Sequence, residues 1–478
     1  MAEKRVIAID LGADSGRVMQ VSFDGQRLHL EEVHRFPNYG VKVGQTLYWD
    51  VLRQWYEINA GIRKIEPGAA AVGLDTWGVD FALFDRDGGL LANPVHYRDS
   101  RTEGMMEWVF ERVPRREVFE RTGIQFMQLN SLYQLASLVR ANSPLLESAK
   151  LYLTIADVFN YWLSGSRTCE FTHVTTSQFY NPRLGDWDRE MLARIGAPTD
   201  IFPEIVPPGT RLGEYQGIPV IAPACHDTGS AVVAVPATRE NFAYLSSGTW
   251  SLLGLELDQP VITDAAYEAN VTSEGGYGAF RFLRNITGLW LIQQSRATWA
   301  AQGQEYTFEQ LTAEAQAAPA FRSLIDPDNP AFTWPGDMPA RIREYCQQTG
   351  QPAPETIGQV ARTIYESLAL KYRYVVDMLV RVSGRPVDRL HIIGGGSKNA
   401  LLCQWAANAI GRPVIAGPSE ATALGNAIVQ LITLGEFSDL TQARELVSRS
   451  AETITYEPQD VALWAEAYAR FTESLTLA

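Results

Sequence analysis

The sequence predicts an α/β protein made of two similar halves, and three observations carry that reading. At 478 residues the chain exceeds the roughly 100–200 residues of an ordinary domain, so two or three cores are expected, with room for a cleft between them. The same local grammar, an apolar strand, a short Gly/Ser/Thr turn and a second strand, occurs at 5–23 and again at 242–257. Repetition about half a chain apart suggests a duplicated architecture. Strands of this kind alternate with long stretches of helical periodicity, the pattern of an α/β fold.

Taken in order, RVIAIDLGADSGRVMQVSF (5–23) reads as strand, small-residue turn and alternating strand. AAVGLDTWGVDFALFDRDGG (70–89) repeats that grammar before an Asp/Gly turn. Helical spacing dominates 103–165, as in SLYQLASLVRA (131–141) and IADVFNYWLSG (155–165). The connector FPEIVPPGTRLGEYQGIPVIAP contains Pro203, Pro207, Pro208, Pro219 and Pro223, which predicts a hinge or domain edge instead of a helix. IDPDNPAFTWPGDMP (325–339) reads as a long surface loop. A long helix is expected over 355–383, where Ile357, Val360, Ile364, Leu368, Val375, Leu379 and Val382 keep near-helical spacing. LHIIGGGSKNALLCQWAANAIGRPVIAG then reads as strand, triple-glycine turn, helix and strand. In the tail, Val461, Trp464, Tyr468, Phe471 and Leu475 predict an amphipathic helix that packs on the core or on a second copy, so a monomer and a homodimer are both compatible.

Composition removes several function classes. With 41 Lys and Arg against 55 Asp and Glu, the formal charge is −14. That sign argues against nucleic acid and against an anionic membrane surface, both of which require clustered basic residues. It leaves open a local anion pocket lined by backbone N–H groups. Asp10 follows only four apolar residues, so no secretory signal is expected, and no run approaches the ~18–20 apolar residues of a membrane span. Cys169, Cys225, Cys346 and Cys403 are scattered, with no CxxC and no zinc spacing. Reduced, buried thiols and a cytoplasmic location are the expectation.

Candidate chemistry gathers at strand ends. Three Gly/Ser/Thr turns each follow an apolar strand, at Gly12–Arg17, Ser246–Thr249 and Gly394–Gly396. Such turns can converge backbone N–H groups on phosphate oxygens, or they can simply reverse the chain. No G-x-x-x-x-G-K-[ST], no G-x-G-x-x-G in a βαβ unit and no protein-kinase H-R-D set is present. Asp10, ending the first strand, could reach Mg²⁺ or satisfy the turn that follows. In IPVIAPACHDTGSAVVAV (218–235), Asp227 could accept a hydroxyl proton during phosphoryl transfer or cap the next helix, and His226 could be a packed polar residue.

VIAIDLGADSGR, GLDTWGVDFALFD, PVHYRDSRT, HDTGSAV, YLSSGTWSLLG and IIGGGSKNALL occur in that order. With them the chain resembles the FGGY family of carbohydrate kinases from about residue 5 to about residue 460. The resemblance implies two actin-like (ribonuclease H-like) domains, 1–238 and 239–478, with ATP and sugar in an interdomain cleft. It implies an ATP-phosphate loop at Ala13, Asp14, Ser15, Gly16 and Arg17. Thr249, Gln293 and Gly395 become further ATP contacts. Gly78, His226, Asp227, Thr228 and Asn285 become sugar contacts, with Asp227 as base and Mg²⁺ near Asp10. Where glycerol-specific relatives carry an Arg-Glu pair, Trp77-Gly78 stands here. That departure weakens a glycerol assignment, and the resemblance implies the C1 hydroxyl of a ketose as acceptor, L-rhamnulose first. L-fuculose, xylulose or ribulose are the alternatives within the family, and an actin-like ATPase without sugar transfer is the alternative outside it.

Overall fold

A computed structural model describes residues 3–237 and 240–474. The chain forms two compact units, one of Met1–Thr238, Glu256–Phe282 and Ala421–Ser450, the other of Arg239–Leu255, Leu283–Glu420 and Ala451–Ala478. The expected domain boundary, at residues 238 and 239, lies outside the described residues.

The first unit is built on a six-stranded sheet. Its order is Arg211–Tyr215, Ile218–Ile221, Ala71–Thr76, Lys4–Leu11, Ser15–Phe23 and Leu28–Pro37. Lys4–Leu11 is central and buried from Val6 onward, as a strand covered on both faces must be. It pairs antiparallel with Ser15–Phe23, placing Asp10 opposite Arg17, and parallel with Ala71–Thr76, placing Asp10 opposite Asp75. Ile218–Ile221 continues the parallel set through Val220 and Val72.

A helix from far along the chain, Ala421–Thr433, lies on this sheet. Gln430 Nε2 donates to the Ile7 carbonyl at 3.0 Å, and Asn426 Nδ2 donates to Asp75 Oδ2 at 2.6 Å. Two glycines permit the approach. A Cβ on Gly73 would lie 2.8 Å from both Asn426 Oδ1 and Gln430 Nε2. A Cβ on Gly425 would collide with the Ser230 carbonyl oxygen, where this helix crosses Asp227–Val233.

The second unit repeats the arrangement. Phe242–Ser247 pairs antiparallel with Trp250–Leu257 and parallel with Arg389–Ile393, which pairs parallel with Val414–Ala416. Ile454–Tyr456 closes one side, and Phe280–Thr287 extends the sheet beyond Trp250–Leu257. The helix Ile357–Ser383 begins in a capping box of Thr356 and Gln359 and stops at Gly384, whose φ of +71° suits glycine. The tail helix Val461–Ser474 docks on this unit: the Trp464 ring meets Phe321 edge-on at 4.8 Å, and Phe471 is fully buried. Leu475 lies outside the described residues.

Several segments differ from the sequence reading. The strands at 70–89 do not form a hairpin, because Phe81–Phe84 leaves the sheet to pair with Leu151–Thr154. That partner strand interrupts the expected helical region. The Pro-rich connector contains the hairpin Arg211–Tyr215 and Ile218–Ile221 inside the first unit, so it forms a sheet edge and not a hinge. Within 325–339, Ile325, Asp326 and Phe332 are fully buried, so this irregular stretch is core as well as surface. All four cysteines are buried and unpaired. No described helix is long and apolar enough to cross a membrane.

The helix crossing at Gly425 predicts that Gly425→Ala lowers stability by about 1–3 kcal/mol through overpacking. The urea midpoint, measured with Gly395→Ala as a control where a Cβ would meet open space, checks it.

Candidate functional site

In the first unit the register of three strand ends assembles a polar centre. Thr76 donates its N–H to the Cys225 carbonyl at 2.9 Å and pairs with His226, so the end of Ala71–Thr76 aligns with the start of Asp227–Val233. Asp10 and Asp75 sit on neighbouring strands, almost wholly buried. Arg17 Nε and Nη2 donate to Asp10 Oδ2 at 2.9 and 2.7 Å. Burial, and after it the Asp10 charge, hold the Asp75 carboxyl well above the usual range, against the opposing bond from Asn426.

Asp227 is the first residue of its helix, and His226 is the cap, so the expected capping role falls one residue earlier. Its Oδ1 accepts from Thr228 N at 2.6 Å and Thr228 Oγ1 at 3.3 Å, with His226 Nε2 at 3.4 Å. Burial raises the Asp227 carboxyl, the His226 and Thr228 contacts oppose that shift, and the nearby Asp10 charge adds to it. The side chain still keeps 27% of its surface, so it remains reachable from solvent.

The turn Trp77–Asp80 lies beside this centre. A Cβ on Gly78 would sit 3.1 Å from His226 Nε2, so any larger residue would crowd the imidazole. Asp80 accepts from the Trp49 and Trp77 indoles at 2.6 and 2.8 Å and from Gln134 Nε2 at 2.9 Å. Behind the turn, Trp49 packs on Trp77 with ring centroids 4.1 Å apart and on His96 at 4.0 Å. His173 Nε2 meets the Trp77 carbonyl at 2.9 Å; a carbonyl only accepts, so this nitrogen carries the ring proton. Burial takes the His173 imidazole down to about 3, which keeps it neutral. Below His226, Glu170 accepts from Thr172 N, Thr172 Oγ1, His173 N and Cys225 N, four donors that suit an ionised carboxylate. Burial pushes its carboxyl the other way, up to about 8.

The first turn is held by Asn38, whose Nδ2 donates to the Gly12 carbonyl at 2.7 Å and whose N–H donates to Asp14 at 3.0 Å. Ala13, Asp14, Ser15, Gly16 and Arg17 therefore form a fixed hairpin end next to Asp10. Among the described residues no three His, Cys, Asp or Glu side chains gather as a metal cage. Mg²⁺ bound through one carboxylate, waters and phosphate oxygens needs no such cage, and Asp10 suits that role.

In the second unit the triple glycine packs on the second hairpin. A Cβ on Gly394 would lie 3.1 Å from the Ser247 carbonyl, and one on Gly396 would collide with Ser247 Oγ. Gly395 between them is exposed, with open space over its Cα. The Thr249 carbonyl accepts from Trp290 N at 3.1 Å, which seats the turn on the helix Trp290–Ala301. That helix carries Gln293, whose buried Oε1 has no partner among the described residues. An orphaned buried acceptor leaves a polar group for a ligand to meet. Asn285 lies on the strand Phe280–Thr287, anchored by Thr287 N donating to Asp328 Oδ1 at 2.8 Å, while buried Lys371 holds Asp328 and Asp326.

The structure thus gathers Asp10, the 13–17 hairpin, Gly78 and His226–Thr228 in one unit, and Thr249, Gln293, Gly395 and Asn285 in the other. The sequence reading did not single out Asp75, Asp80, Glu170, Glu274, Arg281 or Asn426. Asp75 and Asp80 carried a signal, since two acids flank the Trp-Gly turn; Arg281 and Asn426 reach the centre only through the fold. Burial raises Asp80 from 3.8 to about 6, against its three donors, so the folded state binds this proton more tightly than the unfolded state does. Its contribution is greatest below pH 4 and declines as pH rises to about 6. Relative to Asp80→Asn, the parent is expected to lose stability across that window and then hold a constant difference, as urea denaturation at a series of pH values would report.

The FGGY family of carbohydrate kinases matches through its N-terminal domain at residues 5–231 and its C-terminal domain at 243–434. A rhamnulokinase of Bacteroides thetaiotaomicron is 47% identical over 98% of this chain and 99% of its own. A rhamnulokinase of Oceanobacillus iheyensis is 40% identical over 94% and 97%. Among solved structures, the ligand-bound xylulose kinase of Lactobacillus acidophilus superposes with a TM-score of 0.81 at 17% identity, covering 98% of this chain and 97% of that one. Plasmodium falciparum glycerol kinase with ADP gives 0.77 at 16% identity, covering 99% of each. These two likenesses show the two-domain α/β fold shared with such kinases. The chain belongs to the FGGY family of carbohydrate kinases and is a sugar kinase.

Proposed function

We propose that this enzyme transfers the γ-phosphoryl group of ATP to the C1 hydroxyl of L-rhamnulose, giving L-rhamnulose 1-phosphate and ADP, with Asp227 as general base. The observation that carries the base is the asymmetry of its carboxylate. Thr228 and His226 crowd Oδ1 with donors, while Oδ2 has no bonded partner among the described residues. An accessible carboxylate oxygen at a helix start, with its proton affinity raised by burial, suits the removal of a hydroxyl proton. The sugar assignment is supported by the relatives named rhamnulokinase at 47% and 40% identity. Trp77-Gly78 supports it too, since this turn leaves no charged pair for a small polyol.

In this reading His226, Thr228, Gly78 and Asn285 bind and orient the ketose. Asp227 Oδ2 takes the C1 proton as the oxygen attacks the γ-phosphorus in line. The N–H groups of the hairpin ends at Ala13–Arg17 and Thr249 face phosphate oxygens, and Gln293 and Gly395 accommodate the nucleoside. Mg²⁺, with Asp10 as its protein ligand, would neutralise phosphate charge when bound. The four unpaired, buried thiols support a reducing, cytoplasmic location.

An ADP-release assay with Mg-ATP over L-rhamnulose, L-fuculose, L-xylulose, L-ribulose, D-xylulose and glycerol tests the assignment. L-rhamnulose should give the highest kcat/KM, and equal ADP release with and without every sugar would sink it. Asp227→Asn should lower kcat about 10²–10⁴-fold while sugar still binds. Gln293→Leu should raise the KM for ATP about tenfold, with the sugar KM unchanged, as expected for one lost polar contact.

A further inference from the structure

Arg281 is an unusual occupant of a protein interior: its side chain has no exposed surface. Nε donates to the Gly275 carbonyl at 2.6 Å, and Nη2 lies 3.2 Å from Glu274 Oε2 and 3.0 Å from His226 Nδ1. A guanidinium has five N–H donors and no acceptor. The His226 nitrogen that faces it must therefore present a lone pair, since a proton on Nδ1 would set two N–H groups against each other. With Nδ1 occupied as acceptor, the ring proton belongs on Nε2. That nitrogen faces Asp227 Oδ1, 3.4 Å away.

We propose that Arg281, with its charge compensated by Glu274, is a positioning residue that holds His226 in the Nε2–H tautomer and thereby dedicates Asp227 Oδ1 to accepting hydrogen bonds. Oδ1 then receives Thr228 N, Thr228 Oγ1 and His226 Nε2–H, and Oδ2 is left to take the hydroxyl proton. The functional part rests on the reading of Asp227 as base; the tautomer does not. Glu274 plays a second part, because an uncompensated buried cation beside His226 would pull on the Asp227 carboxylate and weaken it as a base. The competing arrangement is Nδ1–H donating to Glu274 Oε2, which stands 3.4 Å from Nδ1.

Long-range ¹H–¹⁵N spectra of the full-length enzyme labelled at its six histidines, with the His226 ring assigned by loss of its signals in His226→Asn, read the tautomer directly. The expected spectrum has the proton on Nε2 and a lone pair on Nδ1. A proton on Nδ1, or on both nitrogens, overturns the proposal. This measurement uses neither sugar nor ATP, so it can fail while the kinase assignment stands, and the reverse also holds. Kinetically, Arg281→Met should let the ring populate Nδ1–H and lower kcat roughly tenfold to hundredfold, the usual scale for residues that orient a functional imidazole. The KM for sugar should change less than kcat does, because His226 stays in place and only the position of its ring proton changes. Arg281→Lys keeps a donor and a charge, and should recover most of kcat. An unchanged kcat in Arg281→Met, or a lysine variant as impaired as the methionine variant, overturns the assignment.

Discussion

Two carboxylates side by side in the middle of a buried sheet cannot both be left without partners, and the first unit is arranged around that fact. Asp10 and Asp75 face each other in register on adjacent parallel strands. The antiparallel neighbour places Arg17 on Asp10, and a helix from far along the chain places Asn426 on Asp75. Like charges in low dielectric repel strongly, and each unmet carboxylate would carry several kcal/mol of desolvation cost. The Arg17 strand and the seat of Ala421–Thr433 each meet part of that requirement. The same helix leans on Asp227–Val233 through Gly425, so the packing that brings Asn426 to Asp75 Oδ2 also places Asp227.

The surroundings of Asp227 continue this logic outward. Glu170 gathers the N–H groups of Thr172, His173 and Cys225, fixing the backbone that carries His226. Gly78 clears space for the imidazole, and Asp80 pins the turn by its two indole partners. None of these groups needs to touch a sugar to matter. They turn a flexible carboxylate into one whose two oxygens have different neighbours, and positioning of this kind is a large part of what a phosphoryl-transfer site supplies.

Local pattern made much of the fold legible. The hairpins at Lys4–Phe23 and Phe242–Leu257, the helix Ile357–Ser383 and the triple-glycine turn were all readable, because turn chemistry and apolar periodicity act over a few residues. Strand pairing was not. The segment 70–89 looked like another hairpin, yet Val79, with a φ of +67°, and the anchored Asp80 send the second strand to Leu151–Thr154. The Pro-rich connector looked like a hinge because proline marks breaks; Pro219 instead sits in a strand near the sheet edge, where a missing N–H is tolerated. At the candidate site, residues on strand-end motifs such as Asp10, Gly78 and His226–Thr228 could be named. Arg281, Glu274 and Asn426 could not, since each reaches the centre across tens to hundreds of residues.

The return of Ala421–Thr433 to the first sheet has a consequence for how the protein is made. Asn426 is separated by 351 residues from the Asp75 carboxylate it satisfies. At about 5–20 residues per second, a ribosome takes on the order of tens of seconds to cover that interval. Until that helix is made, Asp75 lacks the donor that Asn426 brings and the sheet lacks the helix that packs on it. The first unit to be begun is therefore not finished until its last segment, Ala421–Ser450, has been made. Its completion waits on almost the entire chain, which makes the nascent protein a natural client for any factor that shields apolar surface during translation.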